Sequence, residues 1–440
     1  MTKREFRLEN EYRYNRSGPV RWIISHLLRY PLFPLLMVVG SLLSNWAFGS
    51  RQVLIGRAFG LITTPGWQLS ALLTTGLTVL AAAVGQGVGG MLRSFSVEFL
   101  AQQIERDARD ELYVSLLGKS QTFHGRQRIG DIMARATNDV RMLNFMFSPG
   151  VMLILDSALT IIVPVAMMVG LNWRLLLVPG IFVILWAVTV YDYNRRLKPV
   201  SMAQREQFGR MNAGLQELIS GIEVVKANAQ ERRAWKKFVA DARLFREHFV
   251  QQGEIQALYW PMLMFIICRA AAFFHALYLW QAGLIGLGEA IAFIGLMGAL
   301  RFPTFISIFS FNLVQLGVAG ARRLLELINT ETELDENEAG VAQLIRGEVV
   351  FENVSFGYNG NPVLNDISFT ANPGETIAIV GQTGSGKSTL TRLINRIFDA
   401  DEGRVLVDGV DVRDWSMESL RSQISTIEQD VFLFSRTLAE

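Results

Sequence analysis

The sequence has very little cysteine and almost no net charge. Only one of its 440 residues is a cysteine, Cys268, so no disulfide can form within the chain. The 42 basic and 40 acidic residues nearly cancel, to a formal charge of +2, and this balance gives no sign of a nucleic-acid partner. Residues 1–17 are polar and charged and so do not have the pattern of a secretory signal peptide. These absences exclude a disulfide scaffold. The pattern of hydrophobic residues is more informative about the fold.

Half of the residues are hydrophobic, and they gather in six segments close to the ~20 residues that cross ~30 Å of hydrocarbon. The segments lie at 32–55, 69–92, 148–170, 173–193, 259–282 and 286–309. Residues 19–30 mix apolar and basic side chains, which fits either an amphipathic helix at the bilayer surface or the first turns of the next helix. The sequence therefore predicts an N-terminus with an elbow helix at 1–30 and an all-α transmembrane domain of six helices at 31–320.

Two of the connections between these segments, 93–147 and 194–258, are long and rich in arginine and lysine. The positive-inside rule places both of them, and the basic N-terminus, in the cytoplasm. We expect the protein to lie in the plasma (inner) membrane. Apolar residues continue at helical spacing inside both loops, which predicts long helical extensions. Either the extensions are two stalks whose tips contact a cytoplasmic domain, or they are charged hairpins that only face water.

Four ionisable residues lie inside the predicted spans. Since a charge exposed to lipid is costly, such residues face a cavity or a partner, or reach the interface from a helix end. We expect them to line a polar substrate path, with an internal ion pair or a position at a helix end as the alternative. The four candidates are Asp156, Arg269, His275 and Arg301.

A glycine-rich stretch in the last quarter of the chain fits the pattern G-x-x-x-x-G-K-[ST], the phosphate-binding P-loop. A β-branched run at 375–380 precedes it and predicts a buried strand, and residues 390–398 have helical spacing. The backbone amides of the glycine-rich loop can surround phosphate oxygens, while the lysine reaches the β- and γ-phosphates of ATP and the serine hydroxyl reaches Mg²⁺. The alternative is a chance glycine turn before a helix. The residues are Gly381, Gln382, Thr383, Gly384, Ser385, Gly386, Lys387, Ser388 and Thr389.

The rest of this region has the pattern of a mixed domain. A linker spans 321–346, in which residues up to 328 continue the last helix and 331–338 are acidic. Strand-like runs follow at 348–356, 366–370 and 403–409. Tyr358 could stack on adenine through its ring face, and Gln429 could reach Mg²⁺ from a strand end, although each signal is weak alone. The sequence predicts a partial α/β P-loop nucleotide-binding domain at 347–440.

Taken together, these stretches resemble the ATP-binding cassette (ABC) exporters, in which one polypeptide carries membrane and nucleotide domains. The stretches are 351–358, the P-loop, 401–409, 429–435, and 219–227 in the second long loop. The resemblance implies that Tyr358 stacks on adenine, that 381–389 is the Walker A motif, and that Gln429 senses the γ-phosphate. It also implies that the loop tips near 121–124 and 222–225 are coupling helices. Glu428, where such exporters often have proline, departs from the pattern.

The family resemblance also leads us to expect motifs that are absent here. The sequence has no Leu-Ser-Gly-Gly-Gln signature, no strand ending in Asp-Glu (Walker B with the catalytic glutamate) and no switch histidine. We interpret the chain as C-terminally truncated and do not expect it to hydrolyse ATP alone.

For the intact protein the resemblance implies an ABC dimer, a homo- or heterodimer of half-transporters, that exports or flips an amphipathic small molecule or lipid by alternating access. A non-hydrolysing regulatory subunit and a degenerate half of a heterodimer remain alternatives.

Overall fold

The computed structural model describes residues 3–8, 11–427 and 429, with the backbone alone at residues 307 and 308. The chain forms two compact units. The helical unit comprises Arg29–Gln102 and Asn144–Gly317. The mixed unit comprises Met1–Leu28, Gln103–Leu143 and Val318–Glu440. Three distant stretches of sequence therefore contribute to one unit.

Helices dominate the described residues. In chain order they are α1 (Pro19–Leu28), α2 (Leu32–Thr63), α3 (Leu69–Leu117), α4 (Gln121–Arg126), α5 (Ile129–Ala134), α6 (Val140–Phe145), α7 (Met152–Leu171), α8 (Leu177–Ser220), α9 (Ile222–Ala227), α10 (Glu231–Ala257), α11 (Trp260–Gln281), α12 (Leu287–Ala299), α13 (Arg301–Asn329), α14 (Lys387–Ile394) and α15 (Met417–Gln423). Single π-helical turns at Arg135–Asp139 and Met146–Val151 join α5, α6 and α7, and a 3₁₀ turn at Trp173–Leu176 precedes α8.

Among the residues that the structure describes, six helical stretches are long and apolar enough to cross a membrane: Leu32–Thr63, Leu69–Leu117, Ile129–Leu171, Trp173–Ser220, Glu231–Gln281 and Leu287–Ile306. Each overlaps one predicted segment, which confirms the six-helix fold. The helical extensions are also present. At 49 residues, α3 is about 73 Å long and exceeds a hydrocarbon core of about 30 Å.

The sixth span, predicted as one segment at 286–309, is interrupted. One helix ends at Ala299 and the next begins at Arg301. Pro303 explains the break, because proline has no N–H to donate to the carbonyl of Ala299, four residues earlier.

The helical unit packs through small residues and a shared apolar core. A Cβ added at Gly40 would lie 2.7 Å from the backbone N of Arg93, so α2 and α3 touch through their backbones. Phe265, Phe293 and Leu296 are fully buried in a core to which α7, α8, α11 and α12 contribute.

The amphipathic N-terminal segment forms a helix of its own. It ends at Leu28, and residues 29–31 separate it from α2. Its buried face carries Trp22, whose Nε1 donates to Glu111 Oε2 at 2.8 Å, and Arg16 donates to the same carboxylate at 2.6 Å. The opposite face exposes Val20 and Ile24. In the mixed unit, α1 therefore packs on the extension of α3.

A four-stranded antiparallel sheet of order β2-β1-β3-β4 forms the centre of the nucleotide region. Its strands are β1 (Val349–Tyr358), β2 (Asn361–Ala371), β3 (Glu402–Val407) and β4 (Val410–Asp411). Val349 pairs with Ala371 on one side and with Val407 on the other. Asn359 and Gly360, both at positive φ, form the two-residue turn that joins β1 to β2. These strands confirm three of the four predicted runs.

The prediction of a fourth strand, at 375–380, is wrong. These residues form no strand, and Ile377, Ile379 and Val380 are 39%, 39% and 89% exposed. A β-branched run has strand propensity, but a buried strand also needs neighbouring strands to satisfy its backbone groups. Within the described residues no strand pairs with 375–380.

Candidate nucleotide-binding site

The glycine-rich loop ends in a tight turn that begins α14. Gly384 and Gly386 have φ of +86° and +87°, a region that residues with a Cβ rarely adopt. The carbonyl of Gly386 accepts from the N–H groups of Thr389 and Leu390 at 3.0 and 3.2 Å, which closes the first helical turn. The positive end of the α14 dipole therefore points toward the loop, as an anion site requires.

Gly386 is also fixed by close packing on β2. A Cβ at this position would lie 2.7 Å from Leu364 Cδ2 and 3.0 Å from Val363 Cγ1. The loop lies against the sheet at a distance that a larger residue would prevent. The glycine is thus required by both its backbone conformation and its surroundings.

The side chain of Lys387 turns back into the loop. Its Nζ donates to the carbonyl oxygens of Gly381 and Gln382 at 3.0 and 2.7 Å. An ammonium group, a helix N-terminus and glycines without Cβ atoms meet in one turn, and this donor set fits a phosphate. Ser388 is exposed in the same turn.

Before the loop, Asn372 donates its N and Nδ2 to the Glu375 carboxylate at 2.9 and 3.1 Å. These hydrogen bonds lower the pKa of that carboxyl. They hold the turn that leads from β2 to residues 375–380, so the entry to the loop has its own local structure.

Tyr358 lies next to the helix that follows the loop. Its hydroxyl is 3.2 Å from Thr389 Oγ1, a hydrogen bond between β1 and α14. Its ring makes edge-on contacts with Phe356 and Phe398, with centroids at 5.0 and 5.3 Å. The structure therefore brings Tyr358 next to Thr389, the last residue of the predicted loop.

Tyr358 also lines a cavity of about 650 Å³, together with Gly125 and Arg126 of the first tip helix. Ser120 caps the first tip helix, α4, by accepting from the backbone N–H of Phe123 at 3.4 Å. From this helix Arg126 donates to Asn359 Oδ1 at 3.3 Å and lies 3.6 Å from Glu333. The predicted first coupling helix thus contacts the nucleotide region, at the turn between β1 and β2.

The predicted sensor Gln429 is exposed. Glu428 and residues 430–440 lie outside the described residues, and so does most of the predicted motif 429–435. The role of Gln429 stays a prediction. The second loop tip, α9, belongs to the helical unit.

The four ionisable residues of the spans separate into different environments. Asp156 is buried and pairs with Arg93 at 2.5 Å, while Ser41 Oγ donates to its other oxygen at 3.0 Å. Asp156 therefore forms an internal ion pair, which is the alternative to lining a substrate path. Arg269 and Arg301 line one cavity of about 520 Å³, and His275, half-buried on α11, is not among its lining residues.

Sequence reasoning missed the role of Arg93, which it counted among the loop cations. The signal available was its position at the end of an apolar helix segment. Its partner is 63 residues away, so only the packing of α2, α3 and α7 identifies it.

Comparison with known proteins agrees with this geometry. Residues 34–304 match the family model described as ABC transporter transmembrane region, and residues 364–440 match the model described as ABC transporter. An ATP-dependent lipid A-core flippase of Pseudomonas fluorescens is 30% identical over 365 residues, 82% of this chain and 61% of the flippase. A fatty acid ABC transporter ATP-binding/permease protein of Mycobacterium bovis is 34% identical over 366 residues, 82% of this chain and 57% of that protein.

An ABC transporter ATP-binding protein of Bacillus subtilis is 29% identical over 392 residues, 88% of this chain and 65% of the relative. The chain therefore spans about three fifths of the length of these curated relatives. The first family model alone covers more than half of the chain and coincides with the apolar helices. The chain is an integral membrane protein and belongs to the ABC transporter family.

Proposed function

We propose that this chain is part of an ATP-driven exporter that moves a lipid or an amphipathic small molecule across the membrane. The observation that carries the proposal is a glycine-rich loop, with Lys387 turned into it, on the same chain as six helical stretches that are long and apolar enough to cross a membrane. Lipid transport by the relatives in Pseudomonas and Mycobacterium supports the choice of cargo.

In this proposal the residues 381–389 hold the triphosphate of ATP and Tyr358 contacts its adenine ring. Ser388, with Gln429, would ligate Mg²⁺, which neutralises phosphate charge. No cluster of three acidic, histidine or cysteine side chains suited to a metal occurs in the described residues, so the ion would depend on the nucleotide's own oxygens. A second copy or a related half-transporter would complete the assembly as an ABC dimer.

The contacts of α4 support a route from nucleotide to membrane helices. Arg126 contacts the turn directly after Tyr358, and α4 follows the long helix α3 after a short turn. A change at the nucleotide can therefore act on the end of a membrane-spanning helix. Alternating access follows if ATP binds one arrangement of the dimer more tightly than the other.

The topology in this proposal places the N-terminus, the long loops and the nucleotide domain in the cytoplasm of the plasma (inner) membrane. The single cysteine makes this testable. In a Cys268→Ala background, a cysteine introduced at Gly125, at the first loop tip, should react with a membrane-impermeant thiol reagent only after the cytoplasmic side is opened. Labelling of intact cells would reverse the orientation.

The main test uses Lys387→Ala. Loss of the ammonium from the loop should weaken binding of a fluorescent ATP analogue to the full-length protein by at least about tenfold and abolish ATP-dependent transport in vesicles. Arg404→Ala is the matched control, because this exposed cation belongs to the same unit but lies on β3 and not in the loop. Equal nucleotide affinity in Lys387→Ala and the parent would refute the proposal.

A non-hydrolysing regulatory subunit is the second candidate, together with a degenerate half of a heterodimer. The absence of a signature motif and of a Walker B carboxylate from this sequence favours neither on its own. Steady-state ATPase activity of the full-length protein alone separates them from an active homodimer. ATP binding without turnover would identify the regulatory or degenerate form.

A further inference from the structure

Two arginines of the helical unit line the same cavity. Arg269 lies in the middle of α11, and Arg301 is the first residue of α13. The turn at 282–286 joins α11 to α12. Along these helices Arg269 is about 18 Å and Arg301 about 21 Å from that turn, at a rise of 1.5 Å per residue. The backbone positions of the two arginines therefore lie at a similar distance from that turn, well inside the predicted spans.

The rest of the cavity is apolar. Its volume is about 520 Å³, and no acidic side chain is among its lining residues. The other lining residues are Met262, Phe265, Ile266, Ala270, Phe273 and Ile294. Two positive groups thus share a hydrophobic wall.

Neither guanidinium has an ion-pair partner among the side chains that the structure describes. Arg93 in the same unit shows the contrast, since it pairs with Asp156. Two like charges at a shared apolar cavity repel each other, and a charged group inside a membrane span needs a partner. An anion between them would satisfy both conditions.

The shape of the guanidinium group limits the choice of anion. Its planar fork matches two oxygens of a phosphate or a carboxylate. A free inorganic anion would use the charges but would gain nothing from the phenylalanine and isoleucine side chains. An acidic lipid uses both the charges and the apolar side chains, with its headgroup at the arginines and its acyl chain along the apolar wall.

We propose that Arg269 and Arg301 together bind the phosphate or carboxylate headgroup of an acidic lipid. This deepens the proposed function, on which it rests, by assigning a headgroup site and a charge preference to the transported molecule. Asp156 and His275 have no part in this site, because the first is held by Arg93 and the second does not line the cavity.

The test measures lipid binding to the full-length protein in nanodiscs of neutral phospholipid. A fluorescent phosphatidic acid and its diacylglycerol analogue, which lacks the phosphate, serve as probes. The parent protein should prefer the phosphatidic acid by about tenfold or more. Arg269→Gln and Arg301→Gln should each remove most of this preference, while Arg269→Lys should keep part of it. Arg57→Gln, an exposed arginine on α2, is the matched control and should keep all of it.

Three outcomes would overturn the inference: equal binding of the two probes by the parent, an unchanged preference in both glutamine variants, or a loss in Arg57→Gln as large as theirs. Displacement of the probe by millimolar inorganic phosphate would overturn the choice of a lipid and assign the site to a free anion. A normal gel-filtration profile and normal ATP-analogue binding establish that each variant is folded.

The proposed function fails by a different measurement. If the parent binds phosphatidic acid selectively but transports nothing in the presence of ATP, the headgroup site stands and the exporter proposal falls. If ATP drives transport of neutral amphiphiles with no preference for acidic ones, the exporter proposal stands and the headgroup site falls.

Discussion

Removing the Asp156 carboxylate should destabilise the helical unit much more than removing both members of its ion pair. Asp156 is 8% exposed and accepts from Arg93 and from Ser41, so it joins α7 to α3 and to α2. Asp156→Ala would leave the Arg93 guanidinium among packed helices without its partner. Loss of one member of a buried pair costs about 3–5 kcal/mol, and Arg93 at 21% exposure favours the lower end, about 3 kcal/mol.

The double variant Asp156→Leu/Arg93→Met should behave differently. Apolar residues of similar size remove both charges and their desolvation cost, so we expect a change within about 1 kcal/mol of the parent. The double variant should therefore be about 2–3 kcal/mol more stable than Asp156→Ala. Thr160→Val gives a reference, because it removes one neutral hydrogen bond from Thr160 to Asn45, also between α7 and α2, at about 1 kcal/mol.

The free energy of unfolding can be measured by titrating the protein in mixed micelles with sodium dodecyl sulfate and following tryptophan fluorescence. ATP-analogue binding should stay normal in every variant, since the phosphate loop belongs to the other unit. If Asp156→Ala matches Thr160→Val, or if the double variant is no more stable than Asp156→Ala, the pair does not hold these helices.

Two further predictions concern the mixed unit. Burial and the charges of Arg4 and Arg16 lower the pKa of Lys119 to about 8, while its amine donates to the carbonyls of Ile328 and Thr330 in either protonation state. The unfolded chain keeps its proton up to a pKa of about 10.5, so stability should rise as pH increases from 7 to 10. Hydrogen exchange of residues 328–332 should slow over this range, relative to Lys119→Gln, which keeps a donor and cannot titrate. Gly386→Ala should weaken ATP-analogue binding about tenfold or more, since a left-handed conformation costs about 1–2 kcal/mol and the new Cβ meets Leu364. Gly374→Ala, also at positive φ but in open space, should bind normally.

The membrane architecture could be predicted because it depends mainly on composition. A helix that crosses hydrocarbon needs about 20 apolar residues, and this requirement is visible without knowledge of any contact. The loop at 381–389 could be predicted for a similar reason. Its glycines, its lysine and the start of α14 are all local, and the positive φ of Gly386 follows from the turn itself.

Features that depend on distant partners could not be predicted. The run at 375–380 has the residues of a strand, but strand formation is decided by neighbouring strands. The pairing of Arg93 with Asp156 depends on how three helices cross. Arg269 and Arg301 line a cavity that His275 does not, and this difference depends on which face of α11 the cavity occupies. Helical periodicity alone does not locate a cavity.

The nucleotide region and the first loop tip are connected by a short series of hydrogen bonds. Thr389 on α14 bonds to Tyr358 at the end of β1, and the next residue, Asn359, bonds to Arg126 on α4. All four residues belong to the mixed unit, although Arg126 and Asn359 are 233 residues apart in sequence. A displacement of α14 must therefore either move Tyr358 or break its bond to Thr389. In the first case the movement reaches α4 through the end of β1 and the turn that follows it, so a ligand in the loop can act on α4.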